Sequence, residues 1–244
     1  MSLISRIALK CISKARHARL STNTKTSHSI VIPQATYSPW IDDHEFSAAF
    51  ERIRPNTLVD IYRAYELWSL VRETSHLDGD VLEVGVWRGG TGCLMAERVR
   101  LLKPAVTVFL CDTFKGVVKA SDHDSHYQGG EHANTSMNIV RRLAISMGLN
   151  NIELLEGIFP DETGHQVESR RFSLCHIDVD VYESAKHVTD WVWPKLVVGG
   201  VIVYDDYGFS SCEGVTNLVN ERVPDCGALT LHNLNGHAIV VKLR

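Results

Sequence analysis

The sequence predicts an α/β fold: a Rossmann-like sheet with mostly parallel strands, a terminal antiparallel hairpin and an N-terminal helical extension. Between residues 80 and 204, short apolar runs alternate with longer amphipathic segments, which is the pattern of parallel βαβ units. The last two apolar runs are separated only by a turn, which is typical of a hairpin. With 244 residues, 44% hydrophobic and 22% charged, the chain has the composition of an ordinary globular protein.

The elements can be assigned in chain order. A helix is predicted over 57–73, where apolar residues at 58, 61, 62, 65, 68, 70 and 71 form a broad buried face. The predicted strands are 80–86, 106–111, 151–155, 172–178 and 200–204, and the helices between them lie near 90–102, 135–147 and 183–193. The predicted hairpin joins 226–231 to 237–243 through a turn at 233–236.

The N-terminal segment differs in charge from the rest of the chain. Residues 1–41 carry six basic side chains and no acidic ones, whereas the whole chain has a net charge of −4. This composition resembles a transit peptide, but Ile4, Ile7 and Cys11 also fall on one face of a surface helix. We expect residues 1–56 to form a basic helix followed by a flap or lid, and residues 57–244 to form one domain.

Composition also excludes several classes of partner. A mildly acidic chain is a poor candidate for binding the phosphate backbone of nucleic acids. No apolar run approaches the ~20 residues that cross a bilayer, so no membrane partner is expected. The six cysteines form no C-x-x-C pair, and Cys111 and Cys175 are predicted to be buried thiols in a reducing, cytoplasmic setting. A homo-oligomer is compatible with this composition.

The first predicted strand runs into a glycine-rich turn, E-V-G-V-W-R-G-G-T-G at 83–92. Glycines let a ligand approach the backbone at the top of this strand, where open α/β sheets bind cofactors. The G-x-G-x-x-G spacing of a dinucleotide site is absent, and Glu83 suits a cationic sulfonium or amino group better than a phosphate. The alternative is a tight turn that binds no ligand.

Asp112 ends the second predicted strand, the position at which nucleotide-binding sheets hold a ribose diol. Phe114 follows it and can stack on an adenine ring. Together these residues favour an adenosyl ligand without a diphosphate. The alternatives are that Asp112 caps a turn and that Phe114 belongs to the core.

Four acidic residues follow the fourth and fifth predicted strands: Asp178, Asp180, Asp205 and Asp206. If these strands are neighbours, the carboxylates converge and repel one another, so a cation is expected among them. Carboxylates without His or Cys at ligand spacing suit Mg²⁺. The alternative is that each acid caps the helix that follows it, as Asp180 could do for helix 183–193.

The polar loop at 115–134 has the length of a lid or a substrate-contact segment. Its three histidines either bind a metal or are solvated, and they are His123, His126 and His132. Their spacing matches no helical ligand pair, which favours solvated side chains.

Five motifs occur in order over most of residues 58–222: E-V-G-V-W-R-G-G-T-G at 83–92, C-D-T-F-K-G at 111–116, G-I-F-P-D-E-T at 157–163, H-I-D-V-D-V-Y-E-S at 176–184 and G-G-V-I-V-Y-D-D-Y at 199–207. In this combination the chain resembles the macrocin O-methyltransferase family. These are class I S-adenosylmethionine-dependent enzymes, many of which methylate sugar hydroxyls of macrolide and aminocoumarin antibiotics. The resemblance implies a class I methyltransferase sheet with S-adenosylmethionine and Mg²⁺ as cofactors.

The resemblance also implies roles for particular residues. Asp178, Asp205 and Asp206 would hold Mg²⁺, and Asp180 would act as the general base. The cofactor site would be formed by Glu83, Gly85, Gly89, Thr91, Asp112 and Phe114, with Gly157, Ile158 and Phe159 at the adenine pocket. The N-terminus and the 115–134 loop depart from the family, so the resemblance does not identify the acceptor.

The sequence therefore predicts a Mg²⁺-dependent O-methyltransferase of antibiotic biosynthesis, acting on a hydroxyl of a small metabolite such as a sugar of a glycosylated natural product. Two other classes stay open. A nicotinamide-dependent oxidoreductase uses the same kind of sheet, but the missing G-x-G-x-x-G argues against it. A non-catalytic binding module would share the fold, but the complete set of acids argues for chemistry.

Overall fold

The computed structural model describes residues 26–31, 35–222 and 227–244, together with residues 4, 7, 11, 12, 19 and 20. Most of the predicted N-terminal helix, and Cys226, lie outside these described residues. Near the N-terminus, Arg19–Leu20 pairs with His28–Ser29 as a short antiparallel ladder. None of the described helices is long and apolar enough to cross a membrane.

A seven-stranded sheet forms the centre of the fold. Its strands are β1 (Asp80–Val84), β2 (Val108–Asp112), β3 (Ile152–Glu156), β4 (Phe172–Ile177), β5 (Leu196–Tyr204), β6 (Ala228–His232) and β7 (Ala238–Lys242). Their spatial order is β3-β2-β1-β4-β5-β7-β6. Strands β1 to β5 run parallel, and β7 is antiparallel to both β5 and β6. The predicted fold class and terminal hairpin are confirmed.

Helices cover both faces of this sheet. In the described ranges they are α1 (His44–Ile53), α2 (Ile61–Glu73), α3 (Gly90–Leu102), α4 (Met137–Met147), α5 (Tyr182–Val192) and α6 (Glu213–Arg222). Short 3₁₀ helices lie at Pro39–Ile41, Arg54–Asn56, Gly164–Val167 and Trp193–Lys195. Helices α2 to α5 match predicted segments, whereas the sequence reasoning misses α1 and α6.

The sheet separates two apolar cores. Helices α1 to α4 cover one face, where Phe46 and Trp68 are buried, and α5 and α6 cover the other, where Leu218 is buried. Successive strand residues serve opposite cores, as Val81 and Leu82 do in β1, because side chains alternate along a strand. Because helices cover both faces of the sheet, we expect a ligand-binding site among the loops at the carboxyl ends of the strands.

The predicted buried face of α2 is partly wrong. Leu58 and Tyr62 are 67% and 51% exposed, although both are apolar positions of the predicted stripe. Arg63 is buried instead, with 7% exposure. A buried cation is tolerated only when it is paired, and Asp60 and Asp205 both bind this guanidinium. The periodicity of apolar residues cannot reveal such a pairing.

Candidate active site

A cavity of about 270 Å³ opens to solvent at the carboxyl ends of the parallel strands. Most of the predicted site residues line it, and they are Gly85, Thr91, Asp112, Gly157, Ile158, Phe159, Asp178, Asp180, Asp205 and Asp206. Three predicted residues are absent from its lining, and they are Glu83, Gly89 and Phe114. The strand order therefore brings the glycine turn and all four acids to one crevice.

Glu83 does not reach this cavity, contrary to the prediction that it faces the cofactor. Its side chain is fully buried, and Oε1 lies 2.9 Å from Nδ1 of His176. Glu83 precedes the last residue of β1 and is in register with His176 of β4, so its side chain leaves the sheet below the strand tip. Its Oε2 has no hydrogen-bond partner among the described residues.

Two glycines of the turn are required by packing of the backbone. Gly85 has a φ of +88°, and a Cβ there would overlap the carbonyl oxygen of Asp178. Gly89 has a φ of +85°, precedes α3, and would place a Cβ 2.7 Å from the side chain of Val140. The conformation and packing of the turn are therefore sufficient to explain a glycine at position 89. Gly85 both permits close packing against the Asp178 backbone and lines the cavity.

The Asp112 carboxylate holds the glycine turn in place. Its Oδ2 accepts hydrogen bonds from the backbone N–H groups of Val86 and Trp87 at 2.7 and 2.8 Å. Its Oδ1 accepts one from the N–H of Phe114 at 2.6 Å. Within the protein, the Asp112 carboxylate therefore caps a turn, as the alternative interpretation stated. The contact of Asp112 with a ribose stays a prediction. Phe114 is buried in the core with Val140, as its alternative stated.

Three of the four acids form a compact cluster. Carboxylate oxygens of Asp178, Asp205 and Asp206 all lie within 4.8 Å of one another. Burial, and then repulsion from Asp205 and Asp206, raises the pKa of Asp178 well above its usual value. Burial, and then repulsion from Asp180 and Asp205, does the same to the pKa of Asp206. A cation placed among these oxygens would relieve that repulsion.

Asp205 is the exception in this cluster. Burial opposes its ionisation, but the neighbouring imidazoles of His176 and His237 and the charge of Arg63 outweigh burial and lower its pKa. Burial likewise opposes the charge on His176, but Asp205 and Glu83 outweigh it and raise the pKa of His176 to about 10. Asp205 is thus the carboxylate that its surroundings keep ionised.

Asp180 lies beside the cluster and is held at both its side chain and its backbone. Its Oδ1 accepts a hydrogen bond from the hydroxyl of Tyr127 at 2.6 Å. Its backbone, with a φ of +65°, donates its N–H to Oδ2 of Asp206 at 2.8 Å. Burial raises the pKa of Asp180, and the Tyr127 hydrogen bond offsets part of this effect.

The 115–134 loop supplies the cap of α5, so the capping alternative for Asp180 is wrong. Val181 precedes α5 and offers no side-chain cap. Oδ1 of Asp124, from the loop, accepts the N–H of Tyr182 at 2.9 Å instead. The three loop histidines are exposed and join no group of potential metal ligands among the described residues; they are His123, His126 and His132. His132 lines the cavity, and the preference for solvated side chains stays a prediction.

The comparison with protein-family models identifies the family of this chain. The family model described as macrocin-O-methyltransferase (TylF) matches residues 56–222 of this chain. The chain belongs to the macrocin O-methyltransferase family. The resemblance inferred from the five motifs is therefore confirmed.

Individual members of the macrocin family match a central part of the chain. Mycinamicin III 3''-O-methyltransferase of Micromonospora griseorubida is 31% identical over 59% of this chain and 61% of its own length. The 8-demethyl-8-(2,3-dimethoxy-alpha-L-rhamnosyl)-tetracenomycin-C 4'-O-methyltransferase of Streptomyces olivaceus is 31% identical over 55% of each chain. Demethyldecarbamoylnovobiocin O-methyltransferase of Streptomyces niveus is 28% identical over 62% of each. The chain thus spans 55–62% of the length of these curated relatives.

Solved structures agree with the macrocin-family assignment. The O-methyltransferase NovP is 25% identical, with a TM-score of 0.66 over 77% of this chain and 82% of that one. The calicheamicin methyltransferase CalS11, at 17% identity, has a TM-score of 0.64 over 85% of this chain and 94% of that one, a likeness of fold. The sheet is therefore the class I Rossmann-like methyltransferase sheet that the macrocin family implies.

The structure adds residues that the macrocin-family motifs do not contain. Arg63, Tyr127 and Cys212 line the cavity, and His237 bonds Asp205 from behind it. Four converging carboxylates need a positive charge nearby, and this requirement could have indicated Arg63, which lies on a helix that the sequence predicts. No spacing in the sequence could have found His237, because its contact depends on how the terminal hairpin pairs with β5.

Proposed function

We propose that this member of the macrocin family is a Mg²⁺-dependent O-methyltransferase that transfers a methyl group from S-adenosylmethionine to a hydroxyl of a small metabolite. The observation that carries this proposal is the single cavity that joins the glycine turn to four carboxylates. The curated relatives are named as O-methyltransferases, and one name specifies a rhamnosyl compound. These names support a sugar of a glycosylated natural product as the acceptor.

The glycine-turn side of the cavity is the proposed cofactor site. S-adenosylmethionine carries its methyl group on a sulfonium, from which a neutral thioether departs readily, so the protein has mainly to align the reacting atoms. Asp112, kept in place by three backbone N–H groups, is positioned to meet the ribose diol. Ile158 and Phe159 offer an apolar wall for adenine, and the Phe159 ring is braced by Trp191 with ring centroids 4.8 Å apart.

The acid cluster fits a hard divalent cation. Its donors are carboxylate oxygens, which Mg²⁺ prefers, and those of Asp178 accept no hydrogen bond from the described residues. We therefore assign Asp178, Asp205 and Asp206 as the residues that would hold Mg²⁺. When bound, Mg²⁺ would lower the pKa of the acceptor hydroxyl and orient it.

Asp180 is the proposed general base. Tyr127 fixes the orientation of its carboxylate, and Asp206 fixes its backbone. Burial raises its pKa, which makes this carboxylate a stronger proton acceptor than an exposed one. Asp180 would take the hydroxyl proton as the acceptor oxygen forms its bond to the methyl carbon and the bond from that carbon to sulfur breaks, leaving S-adenosylhomocysteine as a neutral thioether.

We propose that residues 1–56 include a flap over the acceptor end of the cavity. The N–H and Oγ1 of Thr26 lie 3.2 and 3.4 Å from Oε1 of Glu213. Glu213 begins α6 and directly follows Cys212, which lines the cavity. This contact supports a role for the N-terminal segment in selecting the acceptor.

The test is a product screen by mass spectrometry. Purified protein is incubated with S-adenosylmethionine, Mg²⁺ and a panel of glycosylated metabolites, with the matching aglycones as controls. We expect glycosides, and not aglycones, to gain the mass of one methylene unit. Turnover should be lost in EDTA and restored by added Mg²⁺. Full turnover in EDTA-treated protein would refute the metal assignment, and methylation of aglycones alone would refute the sugar acceptor.

A further inference from the structure

Asp205 is surrounded by nitrogen atoms of basic side chains to an extent that the other acids are not. Its Oδ1 lies 2.8 Å from Nε2 of His237 and 3.5 Å from Nε2 of His176. Its Oδ2 pairs with a guanidinium nitrogen of Arg63. Both oxygens of this carboxylate are therefore held, in a place where the side chains of Asp205, His176 and His237 are almost completely buried.

Each of the two histidines is itself oriented by a second carboxylate. Nδ1 of His237 lies 2.6 Å from Oε2 of Glu66 on α2, and Nδ1 of His176 lies 2.9 Å from Oε1 of Glu83 on β1. Arg63 is fixed in the same way, because its Nε donates to Oδ2 of Asp60 at 2.8 Å. Three basic side chains thus converge on Asp205, and each is anchored by a second acid.

These contacts act on the direction of the Asp205 carboxylate as well as on its charge. A carboxylate bonded through both oxygens cannot rotate about its terminal torsion without breaking a charge-assisted hydrogen bond. Each oxygen still keeps a further lone pair for a ligand. Partners of this kind commonly orient ligating side chains and tune the affinity of the metal site.

We infer that His237 and Glu66, together with Arg63, form a positioning relay that aims Asp205 at the Mg²⁺ site; the inference rests on the proposed metal-dependent function. The relay runs from helix α2 through the terminal hairpin to the tip of β5. Its hairpin member, His237, lies outside the segment matched by the family model, which ends at residue 222. The metal site of this chain therefore depends on a part of the fold that carries none of the five motifs.

The test measures Mg²⁺ binding directly, by calorimetry on the full chain without acceptor. His237→Gln keeps one donor and loses the bridge between two carboxylates. Glu66→Gln leaves the histidine in place and removes only the charge of its anchor. Glu66 is partly exposed, so this second variant is expected to fold if the first one does not. Thr189→Val is the matched control, because it removes a hydrogen bond to Tyr204 behind the sheet and touches none of the four acids.

We expect His237→Gln to raise the Kd for Mg²⁺ by about 10–100-fold, the usual effect of losing a partner of a metal ligand. Glu66→Gln should raise it less, and Thr189→Val should leave it unchanged. Affinity for S-adenosylmethionine should be unchanged in all three. Turnover of the His237 variant should recover at high Mg²⁺, because the defect lies in the KM for the metal and not in kcat.

Other outcomes would overturn the relay in distinguishable ways. Folded His237 and Glu66 variants that bind Mg²⁺ as tightly as the wild type would refute the relay and leave the proposed function standing. A wild-type protein that binds no Mg²⁺ would refute the metal-dependent function and the relay together. Stoichiometric zinc in the purified protein, lost in His237→Gln, would show that His176, Asp205 and His237, whose ligand atoms lie within 4.8 Å of one another, are ligands themselves.

Discussion

The two ends of the cavity are built in different ways. The glycine turn is made of backbone: Gly85 passes against the main chain of the Asp178 segment, and Asp112 is fixed by three backbone N–H groups, none more than 26 residues away in sequence. The acid end is made of side chains from distant parts of the chain. Arg63 and Asp205 are 142 residues apart, and Glu66 and His237 are 171 residues apart.

The two ends of the cavity should therefore differ in their sensitivity to changes of side-chain shape and of charge. The backbone end tolerates no added atom at Gly85, because a Cβ there would overlap the backbone that directly follows β4. We expect the side-chain end to tolerate changes of shape better than changes of charge, since Asp205 is paired with Arg63 and His237 and Asp180 is bonded to Tyr127. Substitutions at the first end should therefore appear mainly as lost stability, and substitutions at the second mainly as lost function.

The largest functional effect is expected at the base. Asp180→Asn keeps the shape of the side chain, but the amide cannot take the proton from the hydroxyl of the methyl acceptor. We therefore expect kcat to fall by about 10²–10⁴-fold, the usual size of a general-base contribution. Calorimetry should show unchanged binding of S-adenosylmethionine and Mg²⁺. Asp122→Asn, at an exposed position of the 115–134 loop, is the control and should retain full turnover. Near-normal turnover by Asp180→Asn would mean that another group is the base.

The next largest effect is expected at the backbone end, and it concerns stability. Gly85→Ala should lower the free energy of unfolding by roughly 3–5 kcal/mol, because a strained φ adds to a steric overlap. Gly148→Ala is the matched control: its φ is +70° but nothing lies within 4 Å, so about 1–2 kcal/mol is expected. Urea denaturation measures both. Equal losses in the two variants would show that the neighbouring strand yields to the added Cβ.

A smaller effect on affinity is expected at Asp112. Asp112→Ala should weaken binding of S-adenosylmethionine by roughly 1.5–3 kcal/mol, the range for hydrogen bonds to a charged group. It should also lower stability, because three N–H groups lose their acceptor. Asp43→Ala, which removes a capping carboxylate from α1 that does not line the cavity, should lower stability alone. If calorimetry gives the Asp112 variant wild-type affinity, its role is confined to the turn.

Much of the fold was predictable because it depends on local patterns. The helix at Gly90–Leu102 was predicted with its bounds, since a glycine turn and a clear periodicity frame it. Strand β5 begins at Leu196, four residues before the predicted start at 200. The prediction is too short because two glycines interrupt the apolar run of this strand. The apolar pattern does not predict helix α6, because its buried residues Val215, Leu218 and Val219 form only a narrow apolar stripe.

The candidate site was predictable only where residues meet through neighbouring strands. The acids after β4 and β5 converge because parallel strands end at one edge, and this edge follows from the topology. Glu83 was misplaced because alternation along β1, and not proximity to the glycines, sets the direction of its side chain. Tyr127 and His237 reach the site through a loop and a hairpin whose paths no periodicity specifies.

The cap that Asp124 provides to α5 has a consequence for engineering the acceptor range. An attractive way to change the acceptor is to replace the 115–134 loop with that of a relative. Such a graft would also remove the acceptor for the N–H of Tyr182, and Val181 has no side chain able to replace it. A loop exchange therefore has to carry a carboxylate at the position of Asp124, or be combined with Ser or Asp at position 181, if the helix that follows Asp180 is to begin at the same residue.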